Sequence, residues 1–193
     1  MLKGAVSLGL AGALAALSAC GGGDQSGGGN QAAGPAQSGE ARQAAGNKTI
    51  ASGLGQNSQF AAAAKAAGLD ATLAGPGPYT VLAPSDAAFA KLPAGAYDTW
   101  MKPEARAQLT GVLTYHILPG TVLAADIGKA IENAKGRAVL ATMGGGTLTA
   151  TREGDRIVLT DGAGTRATVT AADQQYSNGV VHQIDAVLMP QKG

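Results

Sequence analysis

The chain has 193 residues and a formal net charge of +1; 45% of its residues are hydrophobic, 14% charged and 4% aromatic. So balanced a charge leaves no basic surplus to hold nucleic-acid phosphates, and so few aromatics offer no platform for stacked bases. The single cysteine excludes an internal disulfide and any Cys-rich zinc site.

Residues 1–20 read MLKGAVSLGLAGALAALSAC. Lys3 supplies a short positive start, and Gly4 to Leu17 form an apolar run of small residues. That run is shorter than the roughly 20 residues needed to span a bilayer, so residues 1–19 read as a secretion signal. The stretch Leu17 to Cys20, LSAC, resembles the lipobox of bacterial lipoproteins. The resemblance implies cleavage before Cys20 and acylation of Cys20, which anchors the chain to a membrane when two or more acyl chains are attached. Gly21 follows where an aspartate would favour the inner membrane. The chain is therefore expected to cross the inner membrane and to be lipid-anchored at the outer membrane, its domain facing the periplasm or the cell surface. Residues 20–47 then contain Gly, Ser, Gln, Ala and Asn without a bulky apolar side chain. Such a segment cannot bury enough surface to order itself and should act as a flexible linker, with an average reach of about 30 Å.

The compact domain is expected over residues 48–193. SQFAAAAKAA, 58–67, suits a helix capped by Ser58 or Asn57 and ended by Gly68. After the turn GPGP comes a short buried strand from Tyr79 to Ala83, stopped by Pro84. Ser85 can cap the next helix, with Asp86 in its first turn and Phe89 and Leu92 on one buried face. Pro103 can open a further helix whose apolar face uses Ala105, Leu109 and Val112 or Leu113. The lone Trp100 reads as a packing anchor.

From residue 137 the character changes to strand-like runs: RAVLATM, TLTATRE, RIVLT, RATVTAA and GVVHQIDAVLM. GGG, EGD and DGAG between them are turn signals, and TLTATREGDRIVLT looks like a hairpin around Gly154. Helices first and strands later, with one early strand, points to an α+β domain. In the last run, the period of two puts Val180, His182, Ile184, Ala186 and Leu188 on one side and Val181, Gln183, Asp185 and Val187 on the other. His182 thus stands on the more apolar face, as a core histidine whose ring nitrogens need partners.

No catalytic constellation emerges. Ser85, Asp86 and His116 could be imagined as a triad, but nothing resembles the G-x-S-x-G elbow. The two histidines, His116 and His182, lack the i, i+4 spacing of a helical metal pair, and the GGG at 144–146 lacks the Lys-Ser/Thr of a phosphate loop. Neither a cofactor nor a metal is expected.

Three segments together resemble the fasciclin-like domain family: YTVLAPSDAAFAKLP as its first signature, LTYHILPG as its Tyr-His segment and SNGVVHQIDAVLMP as its closing signature. The resemblance covers about residues 48–190. It implies a β-sandwich-like wedge of about seven strands covered by several helices, with the closing segment a central strand paired near the first. It further implies that His116 is structural and approaches Asp86, so that Asp86, His116 and His182 form a structural polar core. In animal members the Tyr-His region and a nearby Asp-Ile pair are implicated in integrin binding. Here Tyr115, His116, Asp126 and Ile127 occupy those places, which makes them candidate partner-binding residues; Asp126 is equally well read as a helix N-cap. The family implies adhesion or matrix contact, so the expected function is a membrane-anchored, non-catalytic module that binds a protein or glycan, acting as a monomer and without nucleic acid. The alternative is a periplasm-facing accessory lipoprotein that binds a small ligand or supports a partner complex.

Overall fold

A computed structural model describes residues 47–55 and 58–190. The expected secretion signal, Cys20 and nearly all of the expected linker lie outside the described residues. The helices are α1 (Ile50–Gly53), α2 (Gln59–Ala67), α3 (Asp70–Ala74), α4 (Asp86–Ala90), α5 (Ala96–Trp100), α6 (Arg106–Tyr115) and α7 (Ala124–Asn133). The strands are β1 (Tyr79–Pro84), β2 (Ile117–Pro119), β3 (Arg137–Ala141), β4 (Thr147–Glu153), β5 (Arg156–Thr160), β6 (Arg166–Tyr176) and β7 (Gly179–Ile184). They form one seven-stranded sheet in the order β2-β1-β7-β6-β5-β4-β3. The Met143 N–H donates to the Ile117 carbonyl at 2.8 Å, so the two edges meet at one end and the sheet nearly closes. The domain is α+β, with the expected seven strands.

Local chemistry explains the boundaries. The Ser58 hydroxyl accepts the Ala61 N–H at 3.2 Å to start α2, and Gly68 ends it with a left-handed φ of 78°. The Ser85 hydroxyl accepts the Ala88 N–H to start α4. Pro103 opens a 3₁₀ turn, Pro103–Ala105, that leads into α6. α1, α3 and α5 have only four or five residues each, too few to show a helical period in sequence.

β1 and β7 pair in parallel, from Tyr79 opposite Gly179 to Pro84 opposite Ile184. This pairing joins the first and last strand-forming segments of the domain and divides its core. On one face Val81 and Val181 pack under α2 and α6 with Phe60, Ala63, Leu109 and Val112. On the other, Leu82, Ile184 and Leu188 meet Ile127 and Ile131 of α7 and inward residues of the β3–β5 strands such as Leu148 and Leu159. β7 is therefore buried on both sides, unlike the one-sided strand its alternation suggests. Each fully buried Leu or Ile contributes roughly 1.5–3 kcal/mol. Regular pairing stops at Ile184, where the Asp185 carboxylate accepts the Thr168 N–H at 2.7 Å. Trp100 is buried, as its reading as an anchor requires.

A buried asparagine in the β6–β7 turn ties the helices to this frame. Asn178 accepts the Ile50 N–H at 2.8 Å and donates to the carbonyls of Leu73 and Gly75 at 2.7 and 2.9 Å. Asn178→Ala strands a buried N–H and two carbonyls, and should lower the unfolding free energy by about 2–4 kcal/mol. Urea denaturation with an unchanged midpoint would defeat this assignment.

Candidate functional site

The Tyr115–His116 pair lies where α6 runs into β2, and both side chains are buried, at 2% and 1% exposure. The Tyr115 hydroxyl donates to the Thr147 carbonyl at 2.7 Å. Its ring lies against the 144–146 turn so closely that a Cβ on Gly146 would stand 2.5 Å from a ring carbon. The GGG run is thus a turn, as expected, and its glycines make room for Tyr115. His116 faces the other core cluster, edge-on to Phe60 with ring centroids 6.3 Å apart.

Both His116 nitrogens are used. Nε2 accepts the Leu188 N–H at 3.0 Å, which leaves Nδ1–H to donate to the Val112 carbonyl at 2.8 Å. Burial pushes the imidazole down to a pKa of about 4; the Val112 carbonyl and the Asp161 carboxylate pull it upward less strongly. The expected approach to Asp86 is not what the structure shows. Asp86 is exposed, and its carboxylate accepts the Gln59 N–H at 2.9 Å, at the start of α2. A position at the opening of α4 keeps it at the surface, so it does not belong to the polar core. The carboxylate acting on His116 is Asp161, in the β5–β6 turn. Asp161 is 6% exposed and accepts N–H bonds from Ala163, Thr165 and Met189 at 3.0, 2.7 and 2.8 Å. Together Asp161 and His116 hold the successive amides of Leu188 and Met189.

His182 is fully buried and equally committed. Its Nδ1 accepts the Asp173 N–H at 3.1 Å, so Nε2–H donates to the Val122 carbonyl at 2.8 Å. Asp173 has a positive φ of 58° in an irregular stretch of β6, and its carboxylate accepts the Ala124 N–H at 2.8 Å. The buried Thr80 hydroxyl donates to the Gly120 carbonyl and accepts the Val122 N–H, both at 2.8 Å. Thr80, Asp173 and His182 thereby fix the connection from β2 to α7. Sequence reasoning missed Thr80, Asp161, Asp173 and Asn178; three of these four look like ordinary turn or strand-end polar residues.

The candidate partner-binding residues separate. Tyr115, His116 and Ile127 are buried, Ile127 at 1% exposure in the α7 core, so none offers a surface to a partner. Asp126 is exposed but is not the N-cap. It stands three residues into the helix start, where its carboxylate accepts the Leu123 N–H at 3.2 Å; Leu123 at the cap position has no acceptor to return the bond. Among the described residues, no three His, Cys, Asp or Glu side chains gather as a metal site, and no helix is long and apolar enough to cross a membrane.

The family model for the fasciclin domain matches residues 55–190. Protein sll1483 of Synechocystis sp. is 37% identical over 147 residues, which are 76% of this chain and 71% of that one. The cell surface glycolipoprotein MPB83 of Mycobacterium bovis is 32% identical over 114 residues, covering 59% of this chain and 44% of the relative. Human periostin is 32% identical over 133 residues, 69% of this chain but 14% of its own length.

The low pKa of His116 has a definite consequence for stability. The unfolded imidazole takes up a proton near pH 6.5, whereas the folded one resists until about pH 4. Between those values the unfolded state holds more protons, so stability is full above pH 6.5 and is lost as pH falls toward 4, by about 3 kcal/mol in total. Urea unfolding of the wild type and His116→Gln across this range should give curves that differ by more at pH 6.5 than at pH 4. A constant difference would show that His116 titrates normally in the fold.

Proposed function

The chain belongs to the fasciclin domain family, and on that premise we propose that it is a membrane-anchored, extracytoplasmic adhesion or interaction module that binds a protein or glycan without catalysis. Domains of this family occur in cell-adhesion and extracellular proteins. The observation that carries the non-catalytic part is the state of the two histidines. Each is buried, and each commits both ring nitrogens to backbone groups, leaving neither to take or give a proton during a reaction. Ser85 and Asp86, the other residues with catalytic chemistry nearby, are occupied at helix starts. What remains available to a partner is the surface of a domain held together by its polar interior.

Anchoring through Cys20 is supported by the lipobox-like LSAC and by the low-complexity residues after it. A relative named as a cell surface glycolipoprotein is in keeping with this placement. A domain on a tether with a reach of about 30 Å meets a partner without a fixed orientation, which suits contact better than chemistry on a diffusing substrate.

Cells carrying the wild-type protein, a deletion of residues 48–193, or Cys20→Ala should be compared for surface attachment, with protease treatment of intact cells. Attachment should fall in both altered strains, and the wild-type domain should be cut on whole cells. Unchanged attachment together with a protected domain would sink the adhesion reading.

A further inference from the structure

The sheet ends on one side at β2 and on the other at β3. An edge strand presents unpaired N–H and C=O groups, which proteins blunt by shortness, proline, a bulge or a charge in mid-strand. β2 is blunted in two ways: it has three residues, and the last is Pro119. β3 has five residues and an unbroken register with β4, without proline or bulge, and its middle residues are Ala138, Val139 and Leu140.

The turn after β3 shows which groups face outward. The Thr142 N–H donates to the Gly146 carbonyl at 2.9 Å, so Thr142 faces β4. Alternation makes Ala138 and Leu140 face β4 too, and turns the N–H and C=O of Val139 and Ala141 away from it. The Met143 N–H, next in that outward series, reaches the Ile117 carbonyl. Among the described residues no strand pairing continues from that contact along Ala141 and Val139.

The side chains on this edge are those of a contact surface. Val139 at 66% and Met143 at 46% are the two large apolar side chains that stand exposed among the described residues. Arg137 is exposed two residues before Val139, on the same face, and Lys135 precedes it. Neither cation has an acidic partner among the described residues; Glu132 of α7 and Glu153 of β4 are engaged by Arg152 and Arg166. The complement of this edge is an extended chain whose backbone bonds Val139 and Ala141, with an apolar side chain beside Val139 and a carboxylate beside Arg137. The strands from β3 to β6 pair antiparallel, and the same direction puts the acidic residue at the C-terminal end of the added segment. A second copy fits less well. Two β3 strands paired about Val139 would set each Arg137 beside the other's Ala141 and leave both cations unanswered.

We propose that the β3 edge binds an extended, acidic segment of a partner protein by antiparallel strand addition. The proposal rests on the interaction-module reading above and chooses protein over glycan as the partner.

Amide spectra of the full chain should be recorded during titration with the capped pentapeptide VTVTE, whose residues fall opposite Ala141 to Arg137, and with VTVTK and VTPTE. VTVTE should shift the Val139 and Ala141 amides saturably. VTPTE lacks the central N–H and should not bind, and VTVTK should bind about threefold more weakly than VTVTE. Arg137→Glu should reverse the order of VTVTE and VTVTK. Val139→Lys should abolish binding with an unchanged melting temperature, because the side chain it replaces is exposed. The proposal is overturned if VTVTE gives no saturable shift at Val139 and Ala141, if VTPTE binds as well, or if Arg137→Glu leaves the order unchanged. Sedimentation that shows a dimer, dissociated by Val139→Lys and not by VTVTE, would assign the edge to a second copy and overturn it too. The two readings fail separately. Attachment that depends on the domain but not on Val139 removes the edge site and keeps the module; peptide binding with attachment unaffected by deletion does the reverse.

Discussion

The parallel pairing of Tyr79–Pro84 with Gly179–Ile184 is the constraint on which the rest of this domain depends. It brings together strands from opposite ends of the domain, so loop closure over nearly the whole sequence between them has to be offset by burial. The pair achieves that by being apolar on both sides. Val81 and Val181 anchor the helix-side core; Leu82 and Ile184 anchor the core inside the curled sheet. A polar substitution at Val81, Leu82, Val181 or Ile184 would therefore damage one core or the other, a property of central parallel strands and not of a half-exposed hairpin.

A central pairing leaves the connections around it unfixed, and single buried polar side chains fix them. Asn178 holds the amide of α1 and the end of α3. Thr80, His182 and Asp173 hold the segment that leads into α7. His116 and Asp161 hold the chain after β7. In each case the partner is backbone, which has no regular ladder at those points and would otherwise be buried unpaired. The histidines belong to this set. An imidazole spans two backbone groups on opposite sides of one ring, and both histidines are used in that way.

Much of the architecture was legible in the residues and part was not, for reasons that differ by element. The five strand runs after residue 136 are visible because Val, Thr and Ile alternate between glycine turns, and α2 because Ser58, its alanines and Gly68 are a complete start, body and stop. α1, α3 and α5 are too short for periodicity to register. Asp161 and Asn178 sit in DGAG and SNG, where an Asp or Asn is expected for turn reasons alone, so nothing local reveals that their side chains reach distant backbone. The pairing expected between His116 and Asp86 failed because both belong to neighbouring elements but to different depths: Asp86 opens a helix at the surface, and His116 closes one in the core. Tyr115 and Ile127 looked available to a partner for the same reason, since sequence gives proximity along the chain and not depth.

Gln183 shows how a correct periodicity can carry a misleading meaning. Its polar character in GVVHQIDAVLM suggested a solvent-facing side, yet the side it shares holds Val181 and Val187 in the helix-side core. The exception is real, because the helix layer is built from short segments. α2 contributes Phe60, Ala63, Ala64 and Ala67 to the helix-side core. The ground left uncovered is the end of β7 beyond Val181, where Gln183 is exposed beside Gln174. A larger apolar residue at 183 would have remained partly bare and invited association. An amide tolerates water there and keeps a hydrogen-bonding surface at the edge of a rigid core, on strands whose positions are set by the most buried pairing in the domain.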